Sequence, residues 1–330
     1  MTKKKHLIGS HVVGMDLGGT KILAAVVDAD GRIVAEAKVK TRPEKGPDGV
    51  IERMTQAAQE AVRRLKLDWD AIRGVGVGAP GPVDPDAGVV HYTPNLPGWE
   101  EVPLASQLGA SLGVPVFLEN DVNLGTLGEY MLGAGQGTKD MVGIFVGTGI
   151  GGGLIIDGKL HSGCRHAAAE IGHMLLLADG PVCGCGKRGC AEALASRTAI
   201  ERDIWLGINA GRTSLIPELT GSDPEQLTSG VLAQALREGD PLVSEVVTRA
   251  QWYLGLLTAS IVNLVDPEMI VFGGGLIEAL GDNFLSPIRV TARQYFLQQA
   301  GADQVRIVAA KLGDYAGVLG AAALARHKAR

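Results

Sequence analysis

Residues 12–31 read VVGMDLGGTKILAAVVDADG, and residues 141–158 read MVGIFVGTGIGGGLIIDG. Each stretch holds an apolar run, a Gly/Thr turn, a second apolar run, and a turn around Asp and Gly. Such a pattern predicts a pair of strands joined by a tight turn. Its recurrence predicts two related halves with a cleft between them. Working outward, strands are expected at Val12–Asp16, Ile22–Val27, Ile33–Val39, Gly74–Gly78 and Val116–Glu119. Helices are expected over Gly49–Leu65, where Ile51, Met54, Ala58, Ala61, Val62 and Leu65 share one face, and over Leu124–Leu132. The alternation is that of an α/β protein. A boundary is expected near Asn120, giving a domain over 1–120 and a larger one over 121–315. A final helix, about Ala316–Ala325, is expected to pack back on the first half, so that 316–330 completes it. The stretch Gly207–Asp240 reads as surface helices and loops.

The chain has 330 residues, of which 46% are hydrophobic and 20% charged, enough for two globular domains with their own cores. A net charge of −5 argues against general nucleic-acid binding, which needs a clustered basic surface. No apolar run reaches the roughly 18 residues of a membrane span; Leu254–Val265 is short and carries Thr258, Ser260 and Asn263. The apolar residues after Lys3–Lys5 are broken by Gly9, Ser10 and His11, so an export signal is not expected and the chain reads as cytoplasmic. Three of the four cysteines crowd between Cys183 and Cys190, which suits a metal better than disulfides. Cys164 stands apart and reads as a core thiol.

Asp16-Leu17-Gly18-Gly19-Thr20-Lys21 sits at the first tight turn. Its glycines let backbone amides approach an anion, Thr20 offers a hydroxyl, and Asp16 at a strand end suits Mg²⁺. Taken alone, the segment serves equally well as an ordinary hairpin turn with a capping Asp. Gly147-Thr148-Gly149-Ile150-Gly151-Gly152-Gly153 is the second turn, and its glycine density fits a purely structural role less comfortably. Gly273-Gly274-Gly275 follows a third apolar run, either as a nucleotide contact or simply as a helix start. No Walker A loop and no GxGxxG unit is present. His173, Cys183, Cys185 and Cys190 form a three-thiolate, one-imidazole set suited to tetrahedral zinc, closely followed by Glu192.

The three glycine clusters resemble the two phosphate motifs and the adenosine motif of the actin, hexokinase and Hsp70 superfamily. That resemblance implies a duplicated actin-like ATPase (ribonuclease H-like) fold, with ATP and Mg²⁺ bound between two domains. The stretch Glu170-Ile171-Gly172-His173, ending in CGCGKRGC and Glu192, resembles the repressor–ORF–kinase (ROK) family. The resemblance implies sugar contacts from Glu170, His173 and Glu192, and a structural zinc on His173, Cys183, Cys185 and Cys190. One ring nitrogen of His173 would face the zinc and the other the sugar. Family members commonly carry Gly before the motif Glu, where this chain has Ala169. GAPGPVD (78–84) and NLPGW (95–99) resemble the loops bordering the sugar, implying contacts from Gly81 and Asn95. ENDVN (119–123) resembles the segment carrying the catalytic base, implying that role for Asp121 with Asn120 beside it. An Asn-Asp pair after a strand is also a common helix N-cap.

The activity implied is ATP-dependent phosphorylation of glucose at its 6-hydroxyl, by a homo-oligomer, dimer or tetramer, with no nucleic-acid or membrane partner. The rival readings are a kinase for fructose, mannose or an N-acyl hexosamine, and a sugar-sensing regulator. The regulator reading is disfavoured because only about eleven residues precede the first strand, too few for a helix-turn-helix domain.

Overall fold

The computed structural model describes residues 10–93 and 96–329. β1 (His11–Leu17) and β2 (Lys21–Val27) form the opening hairpin, with Val12 opposite Val27 and Leu17 opposite Ile22, and β3 (Ile33–Lys40) adds antiparallel to β2. Helix α1 (Gly46–Arg64) begins earlier than expected because Pro47 falls in its first turn, where the missing N–H is not needed. Its apolar face, including Ile51, Met54, Ala58 and Val62, covers β2 and β3. β4 (Ile72–Ala79) returns parallel to β1. A small antiparallel sheet follows, of β5 (Val83–Asp84), β6 (Val89–Tyr92) and β7 (Glu100–Val102), and then α2 (Leu104–Leu112). β8 (Val116–Asn120) pairs parallel with β4 and runs straight into α3 (Asp121–Leu132).

The second half repeats the plan. β9 (Met141–Val146), β10 (Ile150–Ile156) and β11 (Lys159–Leu160) come first. Five helices follow: α4 (Ala191–Ala195), α5 (Arg197–Asn209), α6 (Ile216–Thr220), α7 (Ser229–Arg237) and α8 (Pro241–Val265). β12 (Met269–Gly273) lies parallel to β9 and leads through α9 (Gly275–Leu280) and α10 (Asp282–Gln294) to β13 (Arg306–Ala309), parallel to β12. The last helix is α11 (Ala316–Lys328). The two large sheets have the orders β3-β2-β1-β4-β8 and β11-β10-β9-β12-β13, so each strand of the first has a counterpart in the second. The two sequence segments that echo each other are β1-turn-β2 and β9-turn-β10.

The chain divides into two compact units. One comprises the chain through Gly137, Gly153–Ala168, and Asp314 onward; the other comprises Thr138–Gly152 and Ala169–Gly313. The first therefore keeps α3, past the boundary expected near Asn120. The reason is α11, which packs on α3, β1 and β4 at backbone distance. A Cβ on Gly76 would lie 1.9 Å from the Ala321 carbonyl oxygen, and one on Gly320 would lie 1.8 Å from that of Leu124. On the opposite face of the sheet, toward α1, the core contains Val13, Met15, Val75, Val77 and Leu118. Among the described residues, no helix is long and apolar enough to cross a membrane.

This packing makes a direct prediction. Gly76→Ala forces a methyl group into a backbone carbonyl and is expected to destabilise the protein by roughly 1–3 kcal/mol or more in denaturant titration. Gly230→Ala, on α7 with only Thr228 Oγ1 nearby at 3.7 Å, should be neutral or slightly stabilising. Equal stability of the two variants would contradict the seam.

Candidate functional site

The candidate residues fall into two sets, one in each unit. In the first unit they lie at the carboxyl ends of parallel strands. The register sets Asp16 beside Gly78, Gly78 beside Glu119, and Ala79 beside Asn120. Asn120 caps α3, its Oδ1 accepting from the N–H groups of Val122 (2.9 Å) and Asn123 (3.1 Å). Its Nδ2 donates to Asp121 Oδ1 at 3.0 Å and to the Gly81 carbonyl at 3.2 Å. The N-cap reading and the positioned-acid reading thus coincide: the cap residue orients the neighbouring carboxyl.

Burial raises the Asp121 pKa from its ordinary 3.8 to about 7, and the charge of Asp16 adds to this, against the N–H of Val122 and the amide of Asn120. Burial likewise raises Asp16 to about 6, opposed by Lys21 and reinforced by Asp314. Lys21 Nζ donates to Asp314 Oδ2 at 2.7 Å, so the cation of this turn is held by an acid far away in sequence. The turn itself is pinned from the end of β3. Thr41 Oγ1 donates to the Gly18 carbonyl at 2.6 Å, and its N–H donates to the Thr20 carbonyl at 2.9 Å. Gly19 lies within this turn, and Thr20 is exposed.

Glu119 had no role in the sequence reading beyond its place in the motif. It is buried, and its Oε1 accepts from the Asn120 N–H at 2.9 Å and from Asn123 Nδ2 at 3.0 Å. Its Oε2 accepts from Ser162 Oγ at 3.3 Å. It braces the residues that orient Asp121.

In the second unit, Gly147, exposed Thr148 and Gly149 link β9 to β10, with the Gly147 N–H donating to the Gly149 carbonyl at 2.9 Å. Glu192, in the first turn of α4, accepts from the Ile150 N–H at 3.0 Å through Oε2 and from Cys183 Sγ at 3.3 Å through Oε1. A Cβ on Gly149 would meet Glu192 Oε2 at 2.2 Å, whereas one on Gly147 would meet nothing within 4 Å. The glycine at 149 therefore makes room for a side chain, and open backbone is found at Gly147. Gly273 pairs with Phe145 at the carboxyl end of β9, and Gly274 (φ +92°) turns the chain so that Gly275 starts α9.

Glu170 and His173 bracket a single 3-10 turn, the His173 N–H donating to the Glu170 carbonyl at 3.0 Å. Ala169, in the place where family members commonly carry Gly, has φ +65°. A left-handed conformation costs a residue with a Cβ roughly 1–2 kcal/mol, so the departure at this position has a backbone consequence.

His173 Nδ1 lies 3.7 Å from Cys183 Sγ, Cys185 Sγ lies 3.7 Å from Cys190 Sγ, and one donor atom from each of the four residues falls within 4.8 Å of all the others. Sulfurs held about 2.3 Å from a tetrahedral zinc are about 3.8 Å apart, so this donor set fits that ion. A tight turn shapes the cradle, with the Gly186 N–H donating to the Cys183 carbonyl and the Cys183 N–H to that of Lys187. Burial pushes the Cys183 thiol up to about 12, while the Lys187 N–H lowers Cys185. Cys183 is thus poorly suited to act as a free nucleophile and is charged most readily as a metal thiolate.

Two sequence expectations need comment. Cys164, expected in the core, is exposed, because it lies in an irregular turn closed by the His166 N–H on the Gly163 carbonyl and not in a strand or helix. Asn95 lies outside the described residues. Sequence reading missed Asp314 and Arg197, the latter donating through Nη2 to Thr148 Oγ1 at 3.2 Å. Neither lies within a turn motif, and no local pattern marks them.

Two sheets on one plan form the duplicated actin-like ATPase fold. The residue pattern of the ROK family matches residues 12–328. The chain is 36% identical over 317 residues to a glucokinase of Thermotoga maritima, covering 96% of this chain and 98% of that protein. It is similar to the crystal structure of a ROK family glucokinase from Streptomyces griseus in complex with glucose and AMPPNP, with a TM-score of 0.83 and 36% identity over 96% of this chain and 99% of that one. It is also similar to the ROK hexokinase of Thermus thermophilus, with a TM-score of 0.81 and 37% identity over 96% and 98% of the two chains. With a match that runs nearly end to end, the chain belongs to the ROK family.

Proposed function

We propose that this chain catalyses the ATP-dependent phosphorylation of glucose at the 6-hydroxyl. The observation that carries the reading is Asp121, oriented by its cap and raised to about 7, where a general base works best near neutral pH. Its carboxylate takes the proton of the 6-hydroxyl as the oxygen attacks the γ-phosphorus. The bond from that phosphorus to the β–γ bridging oxygen breaks, and ADP leaves. Asp16 would hold Mg²⁺, directly or through water, and the ion neutralises phosphate charge when bound. The turns at Gly18-Gly19-Thr20 and Gly147-Thr148-Gly149 offer amides and hydroxyls to phosphate oxygens, with Lys21 beside the first. Gly273–Gly275 would border the adenosine. Gly81, Asn95, Asn120, Glu170, His173 and Glu192 would fix the sugar so that one hydroxyl faces the phosphorus.

His173, Cys183, Cys185 and Cys190 would hold a structural zinc. Nδ1 of His173 faces the cysteines, which leaves Nε2 for a sugar hydroxyl. A zinc-bound thiolate at Cys183 cannot donate to Glu192, which would leave that oxygen free to accept from the sugar. The exposed large apolar side chains of Leu264 and Leu297 support assembly as a homo-oligomer.

Three variants test this reading. Asp121→Asn should lower turnover by roughly 10²–10⁴-fold while glucose still binds. The same variant carries a signature in stability. A carboxyl raised to about 7 holds a proton in the native state that the unfolded chain has already released, so stability falls as pH rises from about 4 to about 7. The amide avoids that loss. Metal-free Asp121→Asn is expected to be more stable than the parent at pH 8 by roughly 1–3 kcal/mol, with the difference gone near pH 4. A pH-independent difference in thermal unfolding would sink the assignment.

Gly147→Val should raise the KM for ATP without weakening glucose binding or the fold, because its side chain enters open space. Unchanged ATP kinetics would remove this turn from the phosphate site. Finally, metal analysis should find about one zinc per chain. Cys185→Ser should lose it and bind glucose more weakly while keeping nucleotide affinity, and a zinc-free parent protein would defeat the proposal.

A further inference from the structure

Arg197 is the first residue of α5, directly after the capping Ser196. Its N–H donates to the Gly147 carbonyl at 2.9 Å, and its Nη2 donates to Thr148 Oγ1 at 3.2 Å. Its Nη1 is paired with Glu201, one turn along the same helix. The side chain is 28% exposed. An arginine carries large rotamer entropy, and here most of that freedom is already lost before any ligand arrives. The Thr148 oxygen uses a lone pair on Arg197, which leaves its own hydrogen free to donate outward.

A strut between α5 and the hairpin would account for the main-chain bond. It does not account for a permanently charged fork held beside the exposed apex of a glycine turn. The first hairpin carries the same combination of parts. There, Lys21 follows Thr20 and is held by Asp314; here, Arg197 reaches Thr148 and is held by Glu201. In each half an acid holds a cation beside the threonine turn. The start of the 13-residue α5 adds its own partial positive charge on the same side.

We propose that Arg197 contacts the nucleotide, its guanidinium donating to the phosphate oxygens that lie against the Gly147–Gly149 turn. This rests on the reading of that turn as a phosphate loop. Thr148, oriented by the arginine, donates to the same oxygens. Arg197, reaching in from α5, is then to the second hairpin turn what Lys21 is to the first.

Calorimetric binding of ATP, ADP and adenosine to the parent, Arg197→Ala and Arg197→Lys tests this, with glucose affinity and thermal midpoint recorded alongside. Loss of a charge-assisted hydrogen bond predicts a fall of about 10- to 30-fold in ATP and ADP affinity for Arg197→Ala. Adenosine and glucose should change less than about twofold, and Arg197→Lys should recover part of the loss, since it keeps the charge but not the fork. If Arg197→Ala perturbs the fold, Arg197→Lys carries the comparison, with ADP weakened and adenosine unchanged. ATP and ADP affinities within twofold of the parent overturn the proposal, as does an equal loss for adenosine and ADP. Failure of the parent itself to bind ATP overturns the phosphate-loop reading, and this proposal with it.

Discussion

Two carboxyl groups, Asp16 and Asp121, stand near the carboxyl ends of β1 and β8, with the side-chain-free Gly78 of β4 paired to Asp16 and close to the Asp121 backbone. Burial disfavours the charge on both, and the charge on Asp16 further disfavours that on Asp121. Their surroundings then separate them. Asp16 has a cation within reach in Lys21, and it titrates lower. Asp121 has the cap amide and two N–H groups, those of Val122 and its own, and it titrates higher. Different environments of this kind sort a pair of like groups into different tasks. An acid beside a cation and a glycine turn suits a metal ion; an acid held at a helix start near neutral pKa suits a proton. The backbone-close seam with α11 protects this arrangement, because it fixes β1, β4 and α3 against one helix.

The repeated hairpin shows how one scaffold was dressed twice. In the first unit the turn is tied to the end of β3 through Thr41, and in the second it is tied to α4 and α5 through Glu192 and Arg197. The ties differ because the neighbours differ. α1 and a long β3 follow the first hairpin, whereas a two-residue β11 and an irregular stretch follow the second. Glu192 consequently does two things in one place. It satisfies the Ile150 N–H at the base of the turn and touches the cysteine cluster, linking the second glycine turn mechanically to that cluster.

Much of this was legible in the sequence because it is local. The echo of residues 12–31 in residues 141–158 reports a repeated strand-turn-strand unit, and the cysteine spacing reports a cradle whatever the surrounding fold. What was not legible is what long-range packing decides. Asp314 meets Lys21 across 293 positions, and Thr148 meets Arg197 across 49. The glycine at 149 reads as an opening for phosphate, yet the structure fills that opening with Glu192. The strands of the small sheet, two to four residues long, are too short to show alternation. Cys164 reads as apolar by residue type, and only its irregular loop explains its exposure.

That loop belongs to a longer problem. From His161 to Cys190 the chain forms no strand or α-helix, only a 3-10 turn and the isolated bridges Leu175–Cys190 and Val182–Arg188. Leu175 and Val182 are 64% and 56% exposed, so the bridges bring little apolar burial. A stretch of this length without a core of its own needs another source of order. The left-handed Ala169 adds a conformational cost within it. The cysteines and His173 lie where a single ion would tie both ends of the stretch from Glu170 to Glu192. An ion on His173 and the three cysteines would therefore do more than satisfy its ligands: it would hold in place a segment with three proposed sugar contacts, where the isolated bridges bring little apolar burial.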